Sequence, residues 1–321
     1  MLIKINKQLE KVMPLITPTC VILGVLLAAY IRDLSFLIPW IFAFMTFSGS
    51  LSSNFQSLKQ AVSQPFPILI VMVILHIFMP LWAFAVGHLT FNGDAHTITG
   101  LVLGMIIPTG ITSVIWVTIY KGNLAITLSV ILIDTLLSPF IVPFTLSLFV
   151  SQKVEMDIFS MMNGLLWMVV VPSIVGMILN QMTKGRIQTS LGTKLAPFSK
   201  IALGVVVMLN GAVIAPHLRN INLKLIWIGV VVFFIAFTGY LFSLFIGRIL
   251  KRDRETIVAI TFLGGMRNIS AGAVIAVTYF PASVATPVII GMLFQQVLAS
   301  LFGWVLGKKP SKRGYKKRLA S

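Results

Sequence analysis

Long apolar runs separated by short polar punctuation fill the chain from one end to the other. Ten of them approach or exceed the roughly 20 residues needed to cross a hydrocarbon core. They lie at 13–30, 34–51, 66–89, 97–120, 123–149, 157–181, 197–216, 222–247, 255–279 and 281–307. The first two are short and joined by a brief turn at Ile31, Arg32 and Asp33. The pattern predicts an all-α membrane protein of about ten transmembrane helices. The first run reads as a membrane helix and not a cleaved signal peptide, because no small-residue cleavage site follows it and the chain turns straight back into apolar sequence.

The runs fall into two sets of five, 1–150 and 151–307, dividing near Gln152, with a basic tail at 308–321. Five is odd, so the second set would lie inverted relative to the first, as in many secondary transporters. The fourth run of each set is interrupted, by Pro108-Thr109-Gly110-Ile111-Thr112-Ser113 in the first and by Gly264-Gly265-Met266-Arg267-Asn268-Ile269-Ser270-Ala271-Gly272 in the second. Proline removes a backbone donor and glycine weakens a helix, so both stretches are expected to be discontinuous. Freed main-chain groups survive in a membrane only when buried in protein or facing water. Matched breaks in two halves therefore point to a binding site. The competing reading is simple close packing or a kink, common in membrane helices.

Composition agrees: 57% of the 321 residues are hydrophobic and 10% charged, with a mean hydropathy of +0.98, too little polar cover for a soluble domain. The net charge of +17 raises the question of a nucleic-acid partner, and its placement answers against one. With a cytoplasmic N-terminus, twenty of the 25 Lys and Arg fall on the cytoplasmic side, and only Arg32, Lys153, Arg219 and Lys224 on the other. That asymmetry places both termini in the cytoplasm of a multi-pass cell-membrane protein, and makes the basic tail an anchor for lipid headgroups. The lone Cys20 excludes an intrachain disulfide, and His76, His88, His96 and His217 have no metal-site spacing. No phosphate loop or nucleophile triad is visible, so neither an enzyme, a cofactor protein nor an ATP-driven pump is expected.

The run Pro108 to Ser113, followed by Lys121-Gly122-Asn123 and an apolar stretch to Ser138-Pro139, resembles the first crossing helix region of the bile acid:sodium symporter family. Gly265-Met266-Arg267-Asn268 resembles its second crossing helix, and His76-Ile77-Phe78-Met79-Pro80-Leu81 its third span. The resemblance covers about residues 36 to 307. It implies ten helices, a core domain from spans 3–5 and 8–10, a panel domain from spans 1, 2, 6 and 7, and alternating-access carriage of organic anions, either bile-acid-like or small carboxylates. It also exposes departures. Of the positions where sodium-coupled members place ligands, Ser113 and Thr127 keep a hydroxyl. The others fall here on Val114, Ile131, Leu75, Leu263 and Arg267. Apolar side chains and a guanidinium offer sodium nothing, so sodium is not expected to be required.

Apart from histidine, only Asp134 and Arg267 are ionisable residues well inside the runs. A charge at that depth needs a partner, a cavity or an altered protonation state. Thr127, Ile131, Asp134 and Ser138 share one helical face, and the two charges are expected within direct or water-bridged reach. Three readings compete: a structural ion pair, Arg267 holding the substrate carboxylate, and Asp134 as a proton-coupling group. His76 is a further protonation candidate, or a packed and hydrogen-bonded histidine. Thr109, Thr112, Ser113, Arg267, Asn268 and Ser270 are the candidate substrate ligands. The rivals to a carrier are a membrane sensor on the same fold and a channel, the latter disfavoured because no ring of like residues is visible.

Overall fold

A computed structural model of the chain describes residues 2–53, 65–149, 154, 156–218 and 222–307. Gln152, Lys59, Lys153, Arg219 and the basic tail lie outside the described residues. Among those described the structure is helical, with no strand. The elements are α1 (Leu2–Leu26), α2 (Ala28–Ser50), α3 (Pro65–Thr90), α4 (Ala95–Ile106), α5 (Ser113–Ile119) and α6 (Leu124–Phe149). Then come α7 (Ile158–Met182), α8 (Thr193–Leu218), α9 (Leu223–Ile249), α10 (Arg254–Gly265), α11 (Ile269–Tyr279) and α12 (Ala282–Gly307). Among the described residues, eight helical segments are long and apolar enough to cross a membrane, with α10 and α11 reading as one, and two shorter apolar helices, Ile16–Leu26 and Ala95–Ile106, accompany them.

Two boundaries near the start differ from the expectation: α1 begins at Leu2, eleven positions before the run expected at 13–30, and the first turn is displaced. The turn foreseen at Ile31, Arg32 and Asp33 is not where the chain breaks. α1 ends at Leu26, helix resumes at Ala28, and Arg32–Leu37 form a tight 3₁₀ stretch before Ile38. The polar pair is absorbed into a narrower helix, and Pro39, in the first turn of the next α-segment, accepts that start because its missing N–H has no helical partner there.

The sparse acids explain several helix starts. Asp94, Asp157 and Asp253 accept hydrogen bonds from the backbone N–H of Thr97, Ser160 and Thr256, and Asn222 caps α9 in the same way through Leu225. Each satisfies a donor that the first turn leaves orphaned. Asp94 also meets the Lys224 ammonium at 2.8 Å, linking the start of α4 to that of α9. Partial burial pushes the Asp94 carboxyl up, but Lys224 and Thr97 together hold it below its ordinary value.

Prolines shape the interior of α3 and α7. Ile74–Phe78 and Leu166–Val170 are wide π-helical turns, and Pro80 and Pro172 follow each by two residues. A proline ring clashes with the carbonyl four residues earlier, here that of His76 or Met168, and cannot bond to it. The wide turn relieves the clash, and it places His76 at a bulge, a geometry common at functional sites.

The helices form two groups. In one, α1 packs on α8, and α2 on both α7 and α8. In the other, α4 lies against α3, α6 and α12, while α10 lies against α3, α5, α6 and α9. The groups meet where α8 touches α11 and α12 and where α7 touches α6. Within the first group α1 and α8 approach through glycine. A Cβ on Gly24 would overlap the carbonyl of Met208, and one on Gly211 would lie 2.8 Å from the carbonyl oxygen of Val21. Small residues are what let membrane helices approach backbone to backbone.

Gly24→Ala is therefore expected to force α1 away from α8 and cost about 1–3 kcal/mol, the usual scale of overpacking. Gly104→Ala, where a Cβ meets nothing within 4 Å, serves as the control and should be neutral or slightly stabilising. Thermal unfolding of both variants in detergent checks the pair. Equal stability of the two would contradict the close approach.

Candidate functional site

Both expected discontinuities are present, and they meet. Residues 107–112 separate α4 from α5, and 266–268 separate α10 from α11. The Asn268 N–H donates to the Pro108 carbonyl at 2.8 Å. The Thr109 hydroxyl donates to the carbonyls of Leu263 (2.9 Å) and Met266 (3.2 Å). Gly110 is required at the contact, because a Cβ there would lie 2.9 Å from the carbonyl oxygen of Arg267.

Helices that end inside the protein leave their last carbonyls without partners and their negative dipole ends uncompensated. Arg267 answers for both α4 and α10. Its Nε donates to the Met105 carbonyl (3.1 Å), and its Nη1 donates to those of Gly264 (2.8 Å) and Met266 (3.2 Å). The side chain is among the largest fully buried in the molecule, and Nη2 is buried without a protein partner. The backbone N–H of Arg267 donates to Gln295 Oε1 on α12 at 3.2 Å. One cation thus gathers main-chain oxygens from two helix ends.

Asp134, fully buried on α6, takes a different partner from the one expected. Its Oδ1 pairs with His76 Nε2 at 2.6 Å, and its Oδ2 accepts the backbone N–H of Thr109 at 2.6 Å. The direct pair with Arg267 gives way to this arrangement because the guanidinium has three carbonyls within reach and the π-turn of α3 delivers an imidazole to the carboxylate. Asp134 and Arg267 still act on each other electrostatically. His76 is a hydrogen-bonded member of the crossing, held at one nitrogen only, since its Nδ1 is buried with no partner.

A cavity of about 150 Å³ lies against the crossing. One wall is Thr17, Phe42, Met45, Thr46, Leu203 and Val207 from α1, α2 and α8; the other is Gly110–Thr112, Arg267–Ser270 and, on α12, Met292, Gln295 and Gln296. Of the candidate ligands, Thr112, Arg267, Asn268 and Ser270 line it. Thr109 and Ser113 do not: Thr109 is spent on the crossing itself, and Ser113 is buried with its hydroxyl unpartnered. Thr127 is likewise turned inward, donating to the Asn123 carbonyl of its own helix. Sequence reasoning missed the wall from α1, α2 and α8, whose apolar residues carry no signal that separates a cavity from a lipid face. A second cavity of about 230 Å³ opens beside Gly49, Ser50, Ser52, Ser53 and Thr135. Ile111 and Thr112 line both, so the first break is the shared wall.

Arg267→Lys tests the gathering role. An ammonium is a point charge and lacks the fork that spans carbonyls on two helices. The substitution should cost about 1.5–3 kcal/mol in unfolding experiments, the range for hydrogen bonds to charged groups. A variant as stable as the parent would mean that the carbonyls are satisfied without the guanidinium.

The sequence model of the Sodium Bile acid symporter family matches residues 39–220, more than half the chain. The uncharacterized protein YbaS of Bacillus subtilis (strain 168) is 55% identical over 296 residues, covering 92% of this chain and 97% of its own length. From the same organism, the uncharacterized sodium-dependent transporter YocS is 26% identical, covering 86% of this chain and 87% of its own. The probable sodium/metabolite cotransporter BASS1, chloroplastic, of Oryza sativa subsp. japonica is 25% identical over 84% of this chain and 65% of its own. With these relatives, a multi-pass helical architecture and two broken helices meeting at a cavity, the protein is a membrane transporter and not an enzyme. The chain belongs to the sodium bile acid symporter family.

Proposed function

We propose that the protein is a secondary active transporter that carries a small organic anion by alternating access. The observation that carries this reading is the cavity at the crossing. It lies between the two helix groups, presents Thr112, Asn268 and Ser270, and includes the fully buried guanidinium of Arg267, whose Nη2 has no protein partner. A carboxylate is the partner that such a donor suits. Size narrows the class. A cavity of about 150 Å³ holds a ligand on the scale of a six-membered ring, which favours small carboxylates over steroid-sized bile salts.

The grouping of helices supports a core of α3–α6 and α9–α12 moving against a panel of α1, α2, α7 and α8, with the discontinuous helices as the fourth and ninth of ten passes in two inverted repeats. The Lys and Arg asymmetry supports cytoplasmic termini. Sodium coupling, named for two of the relatives, is not carried over. Leu75, Ile131 and Leu263 are buried apolar residues at positions that would need oxygen, and Arg267 already places a cation against the carbonyls.

The reading predicts selective stabilisation by ligand. Purified protein should melt at a higher temperature in the presence of one or a few monocarboxylates, benzoate among those screened, through preferential binding to the folded state. The same compounds should then support counterflow in proteoliposomes. Uniform indifference to small carboxylates, with stabilisation by a bile salt or by no organic anion, would contradict it.

A further inference from the structure

Two cavities lie between the helix groups, and a thin partition divides them. Ile111 lines both, and its Cδ1 would lie 3.7 Å from a Cβ built on Gly49 of α2. The partition is thus a side chain reaching from the first break towards α2, with Thr112 beside it. Although it belongs to the crossing, Ile111 remains 39% exposed, as a side chain with open space on two sides does.

The two chambers differ in chemistry. The first holds Arg267, Asn268, Gln295 and Gln296. The second, of about 230 Å³, has no charged side chain in its lining, and carries the hydroxyls of Ser50, Ser52, Ser53, Thr112, Thr135 and Ser173. Ser173 is 2% exposed, and its hydroxyl is buried without a partner. A helical serine or threonine can bond back to the carbonyl four residues earlier, as Thr46 and Thr183 do here. For Ser173 that carbonyl is Val169, inside the wide turn Leu166–Val170, where α-helical spacing is lost. The hydroxyl is therefore left for a partner from outside its own helix, and the chamber it lines has room for one.

The frame around that hydroxyl is tight. Asn180 Nδ2 donates to the Leu51 carbonyl at 2.6 Å, and a Cβ on Gly176 would lie 2.8 Å from Ser50 Cβ. α2 and α7 therefore hold their serines as one unit, while α5 and α6 supply the opposite wall.

We propose that the second chamber is a hydroxyl-binding subsite, and that the transported anion is a hydroxylated carboxylate. Its carboxylate sits with Arg267 in the first chamber, and its tail passes Ile111 so that a hydroxyl meets Ser173 and Thr135. A hydroxyl suits such a lining because it both donates and accepts, as serine and threonine do. A second carboxylate does not suit it, since the chamber offers no cation to offset the loss of water. The inference rests on the carrier reading and specifies its substrate.

The test uses full-length protein in detergent with hexanoate and ω-hydroxyhexanoate, which differ by one terminal hydroxyl. Benzoate, whose ring fits the first chamber alone, is the reference anion. Apparent Kd values come from the rise of melting temperature with ligand concentration. ω-Hydroxyhexanoate should bind roughly two- to tenfold tighter than hexanoate, the worth of one net hydrogen bond. An apolar chamber would reverse that order, because the hydroxyl would be stripped of water for nothing. Ser173→Ala should bring the ratio to one or below, and the free variant should melt no lower than the parent, since it loses only an unpartnered hydroxyl. Equal binding of the two acids, tighter binding of hexanoate, or a preference that survives Ser173→Ala would overturn the proposal. Should that variant fail to fold, Thr135→Val takes its place with the same expectation. In each of those outcomes, stabilisation by benzoate leaves the carrier reading standing. Indifference to all three acids would remove the anion reading, and this proposal with it.

Discussion

Two helices end in the middle of this protein, and the cost of ending them is met by one guanidinium. Where α4 and α10 stop, main-chain carbonyls face a region with no bulk water, and an unsatisfied polar group there costs several kcal/mol. Arg267 takes Met105, Gly264 and Met266 together, while Thr109 takes Leu263 and shares Met266. The cavity, the approach of Gly110 to the Arg267 backbone, and the seating of Gln295 all depend on those carbonyls being held in place.

That arrangement also limits the chemistry open to the site. The carbonyls that converge there are already met by a cation that is part of the chain, which is what supports the proposal that no dissociable metal cation is required. On the other side of the crossing the Asp134 carboxylate is held by His76 Nε2 and by the Thr109 N–H. The guanidinium and the carboxylate are joined through Thr109, whose hydroxyl serves the carbonyl side and whose amide serves the carboxylate side. In this account a single residue of the first break registers both.

Much of this was legible in the chain. Apolar runs marked where the helices lie, since a span of twenty apolar residues has few other fates, though the polar first turns of α1 (Leu2–Leu26) lie outside the run expected at 13–30. Pro108, Gly110 and the Gly264-Gly265 pair marked the breaks, because proline and glycine act locally whatever surrounds them. The partner of Asp134 was not legible. His76 lies 58 positions before it and Arg267 follows far behind it, and nothing in spacing chooses between side chains on separate helices. Arg267 bonds to carbonyls, which every residue has, so its partners leave no mark in the sequence. The wide turn at His76 did leave one, in Pro80, and the same offset recurs at Pro172.

The central claim is that a guanidinium serves at the crossing where a dissociable metal cation would otherwise be needed. Its most direct test is the melting temperature of the purified protein, with and without a stabilising carboxylate, as sodium is replaced by choline at fixed pH and ionic strength. The account predicts the same melting temperature and the same carboxylate-induced rise in both salts. A steep, saturable dependence of either on sodium would contradict it.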